Sequence, residues 1–160
     1  MKRVQLKSRR RNPEAGMTLI ELIIACSILV VLASAALPVA RYSIQRAKEN
    51  ELHADLRDMR DAIDRYKDLA DHNLIRVEIG TEGYPPDLET LVKGVQLGAS
   101  ADKKIRFLRK IPVDPISKLE WGKRAVQDDY DSMSWGGKNV FDVYCKSQAT
   151  ALDGTKYSDW

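Results

Sequence analysis

The sequence predicts an α+β chain: one long N-terminal helix, transmembrane at first and amphipathic afterwards, packed on a small antiparallel β-sheet. Three observations predict it. An apolar run begins at Met17, directly after Gly16, and continues to Ala40 with a single acid, Glu21. From Leu52 onward, Leu52, Leu56, Met59, Ile63, Tyr66 and Ala70 recur every three or four positions, which is one stripe of a helix. Further on, two β-type runs at 122–127 and 140–145 flank Trp135-Gly136-Gly137-Lys138-Asn139, a tight-turn signal. The 160 residues therefore divide into a basic leader at 1–16, a membrane helix at 17–40 and a globular part at 41–160.

The leader holds Lys2, Arg3, Lys7, Arg9, Arg10 and Arg11 against one acid, Glu14. It accounts for more than the chain's whole net charge of +3, so the remainder is slightly acidic. Such a leader stays cytoplasmic, and the chain beyond the membrane segment crosses to the other side. An acidic remainder is not expected to bind nucleic acid. The apolar run exceeds the roughly 20 residues that span a bilayer. An acid near the end of such a run is costly in lipid and marks a functional position. Pro38 removes one helical hydrogen bond and is expected to bend or locally melt the helix. Helix from Met17 to about Ala70 is roughly 80 Å long at 1.5 Å per residue. Around the stripe lie Arg57, Asp58, Arg60, Asp61, Asp64, Arg65, Lys67 and Asp68. They read as a solvated face with four-residue pairs Arg57–Asp61, Arg60–Asp64 and Asp61–Arg65.

His72-Asn73 is the expected stop. Tyr84-Pro85-Pro86-Asp87 turns into a short helix ending near Lys93, with Asp87 as its cap. Gly94 and Gly98-Ala99-Ser100 flank a loop. Ile111-Pro112-Val113-Asp114-Pro115 is an extended connector, because proline is excluded from central strands. Strands are expected at 122–127 and 140–145, with a weaker third at 157–160. The amphipathic stripe needs a cover, and these strands supply it as a sheet. Cys26 falls in the membrane run and Cys145 near the C-terminus. The two are too far apart to pair, so no disulfide framework supports the fold.

The Gly16 junction resembles the class III signal of type IV pilin-like proteins: Gly16, then Met17-Thr18-Leu19-Ile20-Glu21. Met17 stands where that family usually has Phe. Glu21 falls at the fifth position after the glycine and Pro38 at the twenty-second, where the family keeps a glutamate and often a proline. The resemblance implies that a membrane prepilin peptidase cuts between Gly16 and Met17. It further implies N-methylation of Met17 and polymerisation through the N-terminal helix, with Glu21 and Pro38 in the assembly contacts. Cutting would free an ammonium one helical turn from Glu21. Both charges need partners in a low dielectric, and pairing Glu21 with the Met17 amine of a neighbouring subunit would fix axial register.

Two other signals compete for the same residues. Ala33-Ser34-Ala35 after an apolar run is the pattern of a secretory cleavage site, against which stand Glu21 within the run and the apolar residues beyond. Ser8-Arg9-Arg10 is similar to a twin-arginine signal, but Arg11-Asn12-Pro13 lacks the apolar pair found after one.

The C-terminal half narrows the resemblance. Tyr84-Pro85-Pro86-Asp87-Leu88-Glu89-Thr90-Leu91-Val92, Phe107 to Pro115, Phe141-Asp142-Val143-Tyr144 and the ending Ala151 to Trp160 are similar to major pseudopilins of type II secretion. This implies a single-pass subunit held in a bacterial inner membrane with its C-terminal domain in the periplasm. Assembled as a homopolymer with minor pseudopilins on an inner-membrane platform, it would push folded proteins outward and catalyse nothing. In that family the loop before the C-terminus often binds calcium. Asp153 and Asp159 match its acids, and carbonyls near Thr150 would have to complete the six to eight oxygens calcium takes. An Asp-Gly turn with a surface acid explains the same residues. A type IV pilus or DNA-uptake subunit, a minor pseudopilin, and a secreted or membrane-tethered module are the alternatives. The glutamate at Glu21 argues against a minor subunit at a filament tip.

No catalytic constellation emerges. His53 and His72 lack metal-ligand spacing. Asp128, Asp129 and Asp131 read as a polar turn. Ser132 and Ser134 lack a nucleophile elbow, and Gly136-Gly137-Lys138 is too short for a phosphate loop. Trp121, Trp135 and Trp160 read as packing residues.

Overall fold

A computed structural model describes residues 16–98 and 104–160. The leader ahead of Gly16 and the loop residues Ala99 and Ser100 lie outside the described residues. The chain divides into two compact units, Met1–Arg41 and Tyr42–Trp160.

Helix α1 spans Leu19–Asp71. It begins at Leu19, two residues later than the apolar run, because Thr18 caps it. The Glu21 N–H donates to Thr18 Oγ1 at 3.3 Å and the Leu22 N–H to the Thr18 carbonyl at 3.1 Å. Thr18-Leu-Ile-Glu21 has the spacing of a capping box, and an acid in the first turn complements the helix dipole. Within the first unit Ser27 and Ser34 donate to the carbonyls of Ile23 and Val31, each at 2.7 Å. Their hydroxyls are thus satisfied inside the helix. The helix runs unbroken through Pro38, so the proline does not melt it. Ala33 to Ala35 also lie within α1.

In the second unit all six stripe residues are buried, together with Ala62. The core adds Ile75, Leu88, Leu91, Phe107, Trp121, Val140, Val143, Cys145, Ala151 and Tyr157. The helix stops as expected. Asn73 takes φ 56°, its N–H donates to the Ala70 carbonyl at 2.9 Å, and the Leu74 N–H reaches back to Leu69 at 2.9 Å. This is an αL stop in which Asn substitutes for Gly.

Helix α2, Leu88–Lys93, is capped by Asp87, whose Oδ1 accepts the Thr90 N–H at 2.6 Å. Gly94 comes next at φ 76°. Only glycine fits there, because a Cβ would run into the Ile105 carbonyl.

The predicted single sheet is instead two separate antiparallel ladders. Strands β1 (Val95–Gln96) and β2 (Lys104–Ile105) form the first, in the segment read as a loop and its sequel. Strands β3 (Gly122–Arg124) and β4 (Asp142–Tyr144) form the second, with Gly122 opposite Tyr144. Both are shorter than expected because acceptors outside the ladder take the neighbouring backbone donors. The Ala125 N–H donates to Asp128 Oδ2 at 2.7 Å and the Val126 N–H to Asn139 Oδ1 at 3.0 Å. The Val140 N–H leaves the ladder for the Pro85 carbonyl at 2.8 Å. The third expected strand is a 3-10 turn, Tyr157–Asp159. The Trp160 N–H closes onto the Tyr157 carbonyl, and the Tyr157 side chain turns into the core.

The charged side of α1 is not wholly solvated. Arg60 does not pair with Asp64. It reaches Asp142 Oδ1 at 2.7 Å, the Val143 carbonyl at 3.1 Å and the Trp160 carbonyl at 3.0 Å. Arg65 donates to the Asp61 and Phe107 carbonyls, not to a carboxylate. Among the described residues the ion pair on α1's own surface is Lys67–Asp71.

Candidate functional site

The N-terminal site lies wholly in the first unit. Gly16 and Met17 precede the helix in backbone without regular structure, and both are exposed. Cleavage needs such a segment, since a helical peptide bond must unwind before a protease can bind it. At Gly16 a Cβ would meet nothing among the described residues, and the backbone is not in the left-handed region. The described part of the fold thus sets no steric demand for glycine at this position. Glu21 is exposed in the first turn of α1, and no described cation lies within ion-pair distance of it. Along the same stretch of helix Leu19 is 78% exposed, Val30 68% and Val39 68%. Among the described residues one helix, at the N-terminus, is long and apolar enough to cross a membrane, and none of its apolar window is covered within the chain. Cys26 is exposed in the same stretch.

The second candidate is the C-terminal loop, which lies against α1 within the second unit. Gln45 and Glu49 precede Leu52 on the core stripe. Glu49 is 8% exposed. Its Oε1 accepts the Tyr157 hydroxyl at 2.7 Å, the Leu152 N–H at 2.9 Å and Gln45 Nε2 at 3.2 Å. Burial, then the bond to Glu49, pushes the Tyr157 hydroxyl above its ordinary pKa. The loop is closed by a bridge between Thr150 and Lys156. Trp160 stacks on His53 with ring centroids 4.0 Å apart. The motif reading misses this network, although the sequence carries a signal for it: Gln45 and Glu49 extend the apolar stripe backward at the same spacing, as polar residues on a core face.

The two expected calcium ligands are not brought into one shell. Asp153 Oδ1 accepts both the N–H and the hydroxyl of Thr155, at 2.8 and 2.7 Å. Those bonds hold its carboxyl below the ordinary value. Asp159 accepts from the Ser158 hydroxyl at 3.1 Å. Among the described residues no three His, Cys, Asp or Glu side chains stand together as a metal site. The two acids alone therefore make no calcium shell: Oδ1 of each already accepts a hydrogen bond, and calcium takes six to eight oxygens.

Other sequence candidates have structural work. Asp128 accepts the Ala125 and Gly136 N–H groups, which hold its carboxyl below the ordinary value. His72 bonds the Asp68 carbonyl, and Ser132 and Ser134 bond one another's turn. Trp121 and Trp135 donate to the carbonyls of Pro112 and Asn139. Cys145 is buried beside the buried Asp114. Burial, then the hydrogen bond to Asp114, pushes the thiol up to about 11.

Comparison with known proteins bears on the first site most directly. The pattern described as the prokaryotic N-terminal methylation motif matches residues 11–37, which include Gly16, Met17 and Glu21. The type II secretion system core protein G of Pseudomonas aeruginosa is 30% identical over 141 residues, covering 84% of this chain and 84% of that protein. No solved structure matches.

Proposed function

Because this chain belongs to the family of the type II secretion system core protein G, we propose that it is the structural subunit of a periplasmic pseudopilus that drives the export of folded proteins. Prepilin peptidase cuts between Gly16 and Met17, and Met17 is then N-methylated. Before assembly the subunit is held in the inner membrane by its single apolar helix, with the basic leader cytoplasmic and the C-terminal unit periplasmic. It catalyses no reaction. Its partners are further copies of itself, minor pseudopilins and an inner-membrane assembly platform.

The observation that carries this function is the exposed apolar first half of α1. Such a surface is stable only in lipid or against other apolar helices. Storage in a bilayer followed by helix-to-helix assembly supplies both in turn. The carboxylate at Glu21 then acts as a register mark. In lipid it is a costly charge, and in the filament it meets the Met17 ammonium of a neighbour about one turn away along the axis. Displacement by one turn is thus favoured over others.

Glu21→Ala tests this. The variant is expected to be trimmed normally and to give little or no filament when the secretion genes are co-expressed. Filament yield equal to the parent's would remove the register role.

A further inference from the structure

The C-terminal loop is fixed by donors and acceptors belonging to the chain itself. The carboxylate of Glu49 gathers three donors, two from the distant C-terminal loop and one from its own helix: the N–H of Leu152, the hydroxyl of Tyr157 and the amide of Gln45. Asp153 Oδ1 accepts both the N–H and the hydroxyl of Thr155. Trp160 donates through Nε1 to Thr155 Oγ1 at 2.6 Å and gives its carbonyl to Arg60 at 3.0 Å. Among the described residues no buried side-chain polar atom lacks a partner. A cation seated at Glu49 would meet the N–H and O–H groups already bonded to it. It would have to displace hydrogen bonds already made before it gained ligands.

We infer that Glu49, and not a bound divalent cation, anchors the C-terminal loop on α1, so that this subunit folds independently of calcium. A carboxylate buried on the helix takes the place of the metal by collecting loop donors directly. Hydrogen bonds to a buried charged group are among the stronger ones. The ring of Trp160 on His53 seals the same end of the loop. The inference holds whichever machine the subunit serves, because it concerns the folded monomer.

The test uses the full chain in detergent, with melting temperature and amide exchange measured in EGTA and in millimolar calcium chloride. The same melting temperature and the same protection at Leu152 and Tyr157 are expected in both. Glu49→Gln keeps the shape but loses the charge. It is expected to speed exchange at those two amides about tenfold, and calcium is expected not to restore the protection. Tyr157→Phe, which removes one donor, gives a smaller effect of the same kind and decides the matter if Glu49→Gln does not fold. A saturable rise in melting temperature with calcium, or loss of loop protection in EGTA, overturns the inference. So does unchanged exchange in both variants.

Discussion

At the scale of single residues, Arg60 ties distant parts of the second unit together. Its guanidinium fork joins the helix to β4 through Asp142 and Val143 and to the last residue through the Trp160 carbonyl. Arg124 also lies 3.7 Å from Asp142, so that carboxylate is shared by two cations. Lysine has the charge but not the planar fork. Arg60→Lys is expected to cost about 1–2 kcal/mol, the lower part of the range for charged hydrogen bonds because the side chain is part-exposed. Urea unfolding measures it, and an unchanged midpoint would contradict the tie. The sequence shows Arg60 as one more charge on a helix, with Asp64 at the expected four-residue spacing. Its true partner is 82 positions away, and no local pattern encodes a contact of that span. Gly16, Met17 and Glu21 differ in that the pattern they belong to, the matched N-terminal methylation motif at residues 11–37, is local in sequence.

At the scale of elements, legibility tracks length. Helix α1 is predictable almost to the residue because its stripe repeats over many turns. Its stop is legible in His72-Asn73, and the cap of α2 in Asp87. Strands of two or three residues hold no full period, so β1 and β2 escape a sequence reading, and β3 and β4 come out too long in one. What ends β3 is a pair of side chains, Asp128 and Asn139, that come from the turn after it. Two substitutions test the packing. Met59 is fully buried at the centre of the stripe, and Met59→Ala is expected to cost about 2–5 kcal/mol. Gly122 packs under the Tyr144 ring so closely that a Cβ would overlap it. Gly122→Ala is expected to cost about 1–3 kcal/mol by forcing the ring aside, whereas Gly137→Ala, where a Cβ meets nothing, loses only the glycine's left-handed freedom at φ 78°. Equal unfolding midpoints for Gly122→Ala and the parent would mean that β3 and β4 do not meet in this register.

At the scale of the whole molecule, the buried titratable groups of the second unit set a pH window. Burial first, then Asp114, raises the Cys145 thiol to about 11. Burial raises the Tyr66 and Tyr157 hydroxyls as well. A group raised by folding stabilises below its unfolded pKa, and that contribution is lost as pH climbs through the folded value. Stability is therefore expected to fall from about pH 9 upward, and Cys145→Ser should shift the onset. On the acid side, burial pushes the Asp114 carboxyl up, but bonds from Cys145, Ser117 and the Ile116 N–H outweigh it and hold it below the ordinary value. That contribution is present above about pH 4 and is lost as pH falls further. Thermal melting from acid to alkaline pH measures both limbs, and a flat profile above about pH 9 would contradict the buried placement of Cys145 and Tyr157. The first unit has no comparable internal stabilisation among the described residues. Its apolar surface is left uncovered within the chain, and the proposed function rests on that surface.

The central claim is that this chain is cut after Gly16 and assembled through the apolar helix beyond the cut. The most direct test is the intact mass and N-terminal sequence of the protein recovered from its native membrane. A chain starting at Met17 and carrying one added methyl group is the predicted result. A chain starting near Ala36, or an uncut chain starting at Met1, would contradict it.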